Sequence, residues 1–234
     1  MEKHQISTIE KSIEGLPIQE AIAALCDSFA GRVVFSTSFG QEDQVLSHLI
    51  FSHKLPVRVF TLDTGRLFEE TYDVFAKTID RYQVKIDVYY PAQSEVETLM
   101  RVQGPHSMYQ SISQRKECCH IRKIEPLTRA LANTDIWITG LRAGQSANRQ
   151  ELELLSFDEG FGVLKYNPLL NWSLEEVQAH LDEHTVPQNK LHQQGFVSIG
   201  CAPCTRAIQP GEDIRAGRWW WEESRKECGL HIGK

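Results

Sequence analysis

Cys118 and Cys119 stand side by side, and Cys201 and Cys204 follow about eighty residues later, separated by Ala202-Pro203. If both pairs serve one site with four sulfur ligands, the fold has to bring two distant segments together, so the pairs speak about architecture as well as chemistry. Arg115, Lys116, Arg122 and Lys123 bracket the first pair, with Glu117 as the only anion among them. Positive charge favours thiolate over thiol, so the spacing predicts depressed thiol pKa values and a taste for metal ions. The chain has 6 cysteines. Met1 to Gln5 is polar, no apolar signal region follows, and no run approaches the roughly 18 apolar residues of a spanning helix, so the expectation is a cytoplasmic protein without a membrane segment. In that compartment cysteines point to metal binding or thiol chemistry rather than a disulfide framework. Cys26, among apolar helical positions, reads as a small buried side chain.

The order of elements indicates what surrounds the cysteines. Residues 1 to 30 read as a helical lead-in, with Ile18, Ile22 and Leu25 at helical spacing. Arg32 to Ser36 is a short buried strand that runs into Thr37-Ser38-Phe39-Gly40-Gln41-Glu42-Asp43. Val45, Leu46, Leu49 and Ile50 then repeat at helical spacing. A strand-to-helix turn of this kind, with outward N–H groups and the hydroxyls of Ser36, Thr37 and Ser38 beside Gly40, cradles phosphate oxygens. It lacks the Gly-Lys-Ser/Thr ending of the common P-loop, and simple helix capping is the alternative. A second strand, Val57 to Leu62, ends in Asp63-Thr64-Gly65-Arg66; a helix through Phe68, Tyr72, Phe75 and Ile79 and a third strand, Val84 to Tyr89, follow. This rhythm predicts an α/β fold, a mainly parallel twisted sheet flanked by helices, with ligands at the carboxyl ends of the strands.

Ile121, Ile124, Leu127 and Leu131 predict a helix whose start carries Cys118 and Cys119, so that its positive end adds to the thiolate bias. A fourth strand, Asp135 to Thr139, leads into the polar loop Gly140 to Arg149, whose Arg142 and Arg149 suit a mobile lid over an anion, against the alternative of a solvated surface loop. Glu151 to Phe157 with Val163 to Tyr166 reads as a hairpin, and Ser173 with Glu176 as a capping box opening a further helix. Trp219, Trp220 and Trp221 cannot all face one core. Near the end, Cys228 sits beside Arg225 and Lys226 and close to His231. It fits a nucleophile better than a ligand, and Gly229 and Gly233 predict a flexible tail. The expected division is one α/β domain over 1–217, holding the metal site, and a C-terminal segment over 218–234 carrying the catalytic thiol. A net charge of −6 argues against a nucleic-acid partner, while the basic cluster at 115–123 and Arg206, Arg215 and Arg218 favour a small anion.

Taken together, Ser36 to Asp43, Leu62 to Arg66, Cys118-Cys119 with Arg122-Lys123, Cys201 to Arg206 and Glu227 to His231 closely resemble the motifs of the assimilatory sulfonucleotide reductases. The resemblance covers nearly the whole chain and is to the iron–sulfur branch, the adenylyl-sulfate reductases, built on the fold of the PP-loop ATP pyrophosphatases. It implies that Cys118, Cys119, Cys201 and Cys204 hold one [4Fe-4S] cluster, that Cys228 is the catalytic thiol, and that Lys123 links cluster and substrate electrostatically. It also implies attack by the Cys228 thiolate on the sulfate sulfur of adenylyl sulfate, loss of AMP, and an S-sulfonate that an outside dithiol, thioredoxin or a glutaredoxin-like protein, discharges as sulfite. Ser36, Thr37, Ser38, Gly40 and Asp63 are the expected nucleotide contacts. Lys123, Arg142, Arg206, Arg215 and Arg218 are the expected clamps on its phosphate and sulfate oxygens. A homo-oligomer is compatible with all of this. Glu42 and Asp43 are expected to repel a 3′-phosphate, which favours adenylyl sulfate over its 3′-phosphorylated relative; a reductase of the latter, or of both, is the alternative. Three rivals predict otherwise: a Cys201–Cys204 redox dithiol, a zinc-containing PP-loop nucleotide-binding module, and a cluster-based oxygen sensor indifferent to Cys228.

Overall fold

Short β-branched and aromatic runs become the strands of a six-stranded, mostly parallel sheet in the computed structural model, which describes residues 3–145 and 152–222. The elements are α1 (Lys3–Ile13), α2 (Ile18–Ser28), β1 (Val33–Ser36), α3 (Gln41–Ser52), β2 (Arg58–Leu62), α4 (Glu69–Tyr82), β3 (Asp87–Tyr89) and α5 (Gln93–Gln103). Then come α6 (Ile112–Cys119), α7 (Glu125–Ala130), β4 (Ile136–Ile138), β5 (Leu155–Asp158), β6 (Val163–Tyr166) and α8 (Leu174–Glu183). The strand order is β3-β2-β1-β4-β6-β5. β1 runs parallel to β2 and β4, β4 parallel to β6, and β5 closes the edge antiparallel to β6, the hairpin expected from the sequence.

Contacts group the chain into two compact units. The first comprises residues 1–61, 73–87 and 131–189; the second comprises 62–72, 88–130 and 190–234. The core of the first is built from sheet residues such as Val33, Phe35, Ile136, Ile138 and Leu164, packed by Ile22 and Leu25 of α2 and Val45, Leu46 and Ile50 of α3. Each is at most 1 % exposed, which places most of the apolar driving force in this unit. Cys26 is buried there as expected. Gln44, fully buried on α3, donates to Thr78 Oγ1 on α4 and to the Pro187 carbonyl beyond α8. α8 opens with the full capping box of Ser173 and Glu176.

The second unit has a smaller core of different character: Leu99, Met108, Ile121 and Trp219 enclose the four cysteines Cys118, Cys119, Cys201 and Cys204. Here the expected helix boundary is corrected. Ser111 caps α6 by accepting from Gln114 N, so the cysteine pair closes α6 instead of opening a helix, and a five-residue π-helical turn, His120–Ile124, carries the chain into α7. The earlier start escapes an apolar-periodicity reading because the buried face of α6 is Arg115, Cys118 and Cys119. With the pair in mid-run, the helix dipole supplies no positive end at the sulfurs. β3 is also shorter than expected: Gln83 takes a left-handed φ of 51° after α4, and only Asp87–Tyr89 pairs.

Candidate metal centre and phosphate-binding loop

Within the second unit the two cysteine pairs meet around one cavity, also lined by Arg66, Arg115, Arg122, Lys123, Arg218, Met108 and Trp219. All four thiols are free of disulfides and only 7–9 % exposed. The approach of the later pair is set by hydrogen bonds to the Asp63–Arg66 turn. Ala202 N donates to Arg66 O at 2.8 Å, Cys201 Sγ lies 3.3 Å from Thr64 Oγ1, and Arg122 donates to Thr64 O at 2.6 Å. Ala202–Cys204 forms a single 3-10 turn started by Pro203, which places both sulfurs of the pair on the cavity. Arg66 also reaches Pro105 O at 2.7 Å, fixing the loop that precedes α6.

The electrostatics differ from the sequence expectation in an instructive way. Burial pushes the Cys118 thiol up against the opposing pull of Arg122 and Arg66. Burial, with Cys201 adding to it, pushes Cys204 up to about 12 despite Lys123. For Cys201 burial also works to raise the pKa, but Lys123, the Thr64 hydroxyl, Arg218 and Arg122 together outweigh it and leave it below the ordinary thiol range. The depression expected for the Cys118–Cys119 pair fails at Cys118, because desolvation acts on the sulfur more strongly than a partly screened cation; the lowered thiol is Cys201, in the other pair. Four buried sulfurs that repel one another as thiolates, rimmed by five cations, form a donor set suited to a cationic iron–sulfur core: it takes up the sulfur charge, and the rim offsets the net negative charge of the assembly.

Arg115 is 1 % exposed and pairs with Glu222 through two 2.9 Å hydrogen bonds. It also lies 4.8 Å from the Trp219 ring centroid, with Arg218 at 4.7 Å. Of the three tryptophans, Trp219 is buried at 1 % and Trp220 is 40 % exposed, the split the sequence predicts. Trp219 and Glu222 are site components that residue chemistry alone did not assign to the centre. Their signal is long-range: both meet Arg115 from a distant part of the chain.

In the first unit the Ser36–Gly40 loop joins β1 to α3. Its amides turn inward more than expected: Thr37 N donates to Phe60 O, Phe39 N to Thr37 Oγ1, and Ser38 N to Asp43 Oδ2 at 2.6 Å. The Ser38 hydroxyl also goes to Asp43, at 2.7 Å. Ser36 Oγ accepts from Trp137 Nε1 at 2.8 Å. Ser36 and Thr37 thus act as acceptors within the fold, which leaves their hydroxyl protons, with the opening amides of α3, able to donate. Phe39 holds a φ of 60°, bent to bury its ring against Phe75 at 4.9 Å. Gly40 opens α3 with no side-chain cap. Glu42 is paired with Arg142 at 2.8 Å, which offsets its charge, and Asp43 accepts from the amide and hydroxyl of Ser38.

In the second unit, Asp63 is 5 % exposed and accepts from Gly65 N and from the Tyr72 hydroxyl at 2.9 Å. Burial and that bond push Tyr72 up to about 12. Lys123 and Arg218 line the cysteine cavity. Arg206 does not: its guanidinium is held by Glu212 at 2.8 and 2.9 Å, and Arg215 N is turned to Asp213. The expected lid is described only to Gln145, where Ala143–Gln145 makes one 3-10 turn. The rest of that loop and Cys228 lie outside the described residues. No helix among the described residues is long and apolar enough to cross a membrane.

Residues 32–207 match the family described as the phosphoadenosine phosphosulfate reductase domain. An adenosine 5'-phosphosulfate reductase of Agrobacterium fabrum is 43 % identical over 227 residues, covering 97 % of this chain and 87 % of the relative. One from Allochromatium vinosum is 48 % identical over 225 residues, covering 94 % and 88 %. The crystal structure of phosphoadenylyl-sulfate reductase from Candida auris in a phosphate complex superposes with a TM-score of 0.75 at 28 % identity, covering 88 % of this chain and 98 % of that one. An FMN adenylyltransferase from Candida glabrata, at 16 % identity and a TM-score of 0.56 with coverages of 98 % and 78 %, shares the fold.

Proposed function

The chain belongs to the family of the phosphoadenosine phosphosulfate reductase domain, and from that premise we propose how its residues carry out a sulfur-group reduction. It is an oxidoreductase that reduces adenylyl sulfate in sulfate assimilation, the activity for which its relatives at 43–48 % identity are named. Cys118, Cys119, Cys201 and Cys204 hold one [4Fe-4S] cluster in this reading. The observation that supports it is the convergence of two cysteine segments on a single buried, cation-rimmed cavity. Bound there, the cluster supplies a fixed local charge and a tie between α6 and the 201–204 turn. Lys123 and Arg218 stand on the same cavity and act on anionic substrate oxygens. Ser36, Thr37 and the N-terminal end of α3 at Gly40 serve the phosphate, and Asp63 the nucleoside.

The Cys228 thiolate then attacks the sulfate sulfur. A bond forms from Sγ to sulfur, the bond from sulfur to the bridging oxygen breaks, and AMP leaves with that electron pair. One thiolate of an external dithiol, thioredoxin or a glutaredoxin-like protein, attacks Cys228 Sγ and expels sulfite with the electron pair of the S–S bond. Its second thiol resolves the mixed disulfide and restores Cys228, so the dithiol supplies both electrons.

A second substrate reading, acceptance of the 3′-phosphorylated nucleotide, is favoured by one observation: the Glu42 charge is already paired with Arg142, which weakens the repulsion expected of it. Sulfite release by anaerobically purified protein with a thioredoxin system tests both. Release from adenylyl sulfate alone is expected. Release mainly from the 3′-phosphorylated form overturns the substrate preference, and no release from either nucleotide overturns the reductase reading. Release undiminished in Cys228→Ser overturns the nucleophile assignment.

A further inference from the structure

His48 on α3, His180 on α8 and His184, which caps the C-terminal end of α8, form a second cluster of ligating side chains, wholly within the first unit. One ring nitrogen from each lies within 4.8 Å of the other two, and all three residues are half-buried. His180 and His184 are four apart at the end of α8, the spacing that sets two imidazoles on one helical face, and α3 packs alongside to supply the third. The ring centroids are 4.6 Å apart for His48–His184 and His180–His184 and 5.2 Å for His48–His180. His180 Nε2 is buried and has no hydrogen-bond partner among the described residues, an orphan that a native fold rarely tolerates without a ligand. His48 Nδ1 is engaged by the Tyr82 hydroxyl at 3.0 Å and Ser52 Oγ at 3.1 Å, the kind of outer hydrogen bond that orients a ligating imidazole and leaves Nε2 for the ion.

We propose that His48, His180 and His184 bind a zinc-type divalent cation, three imidazole nitrogens forming the site and water completing the tetrahedron. With Zn–N bonds of about 2.0–2.1 Å, the nitrogens of a tetrahedral site sit about 3.3 Å apart, so the rings close in by at most about 1.5 Å from a spacing that lies within 4.8 Å. A set of imidazoles without a carboxylate selects zinc, nickel or copper and rejects magnesium and calcium, which want oxygen. Around the cluster, Arg81 is the opposing cation, its guanidinium held by the carbonyls of His184 and Thr185; Glu183 acts on His180 in the opposite sense, and His53 lies near His48. The ion would cross-link α3, the helix that follows the Ser36–Gly40 loop, to α8. Neither the sulfonucleotide chemistry nor the cysteine centre calls for it.

The test uses the full chain, purified anaerobically with its iron in place, passed over chelating resin and given one equivalent of Zn2+. Zinc-edge X-ray absorption is expected to show nitrogen and oxygen neighbours with imidazole scattering at about 2.0 Å and no sulfur shell at about 2.3 Å. A sulfur shell would mean that zinc goes to cysteines and would overturn the site. Competition with a chromophoric chelator is expected to show affinity falling in His48→Gln and in His184→Gln by more than the roughly 10–100-fold that loss of an outer partner costs. His106→Gln should bind as the wild type does. Zinc should raise the melting temperature of the wild type and leave both variants unmoved. Unchanged affinity in either variant, or a wild-type melt indifferent to zinc, overturns the proposal.

Discussion

Arg115 and Glu222 show how much a single buried pair can hold in place. Their side chains are 2 % and 3 % exposed, and the pair joins the cysteine helix to the last described residue before the segment that carries Cys228. Glu222→Gln removes the carboxylate from the buried Arg115, a loss of about 3–5 kcal/mol for a broken buried pair. Urea denaturation should register that loss, and iron content should fall with it; wild-type stability would mean that the other neighbours of Arg115, Cys119 and Trp219 among them, suffice to hold the cation. Cys26 makes a different prediction. Burial, with Asp27 adding to it, raises its pKa from 9.0 to about 11, so the folded chain keeps a proton that the unfolded chain releases. Its contribution is full below pH 9 and is lost as the pH rises through 11, about 2–3 kcal/mol in all. Denaturation midpoints at pH 8 and pH 11 should therefore draw closer together in Cys26→Ala than in the wild type.

At the scale of elements, the β1–α3 turn is shaped by what it excludes. Gly140, just past the end of β4, leaves no space for a side chain: a Cβ there would overlap the Asp43 carboxylate that holds Ser38. Gly140→Ala should push Asp43 away, loosen the loop and raise KM for the nucleotide about tenfold, equivalent to ~1.4 kcal/mol of binding, with little change in melting temperature. α8 begins where its capping box dictates. Ser173→Ala should cost about 1 kcal/mol, read as a melting-temperature drop of about 2–4 °C, while leaving sulfite release intact. The helix around Cys118 and Cys119 teaches the opposite lesson: its register came from a Ser111 cap and a buried arginine, features that carry no apolar periodicity.

For the whole molecule, the two units differ in what fills them. The first is packed by aliphatic and aromatic side chains of the sheet and its helices, whereas the second encloses four cysteines in a small cluster with four other buried residues. A core with so little apolar content would gain cohesion from a metal held by its cysteines. Cys201→Ser, or removal of iron under oxidising conditions, is expected to abolish bound iron and labile sulfide and to strip hydrogen-exchange protection from residues 88–130 and 190–222. The sheet of the first unit should keep its protection. Equal loss in both units would show that the two fold as one cooperative body independent of the cysteines.

By itself the sequence determined the sheet and its parallel sense, the polar turns at the ends of β1 and β2, the hairpin and the capping box. These follow from local periodicity and turn chemistry. Tertiary structure alone decided where each charge is placed. Arg142 goes to Glu42, Arg206 to Glu212, and Ser38 to Asp43, while Lys123 and Arg218 stay on the cysteine cavity. It also decided that Cys118 and Cys204 are raised while Cys201 is lowered, and that three histidines from α3 and the end of α8 share one spot. Desolvation and ion pairing depend on distances between residues far apart in the chain, and a linear pattern holds no record of those distances until the fold sets them.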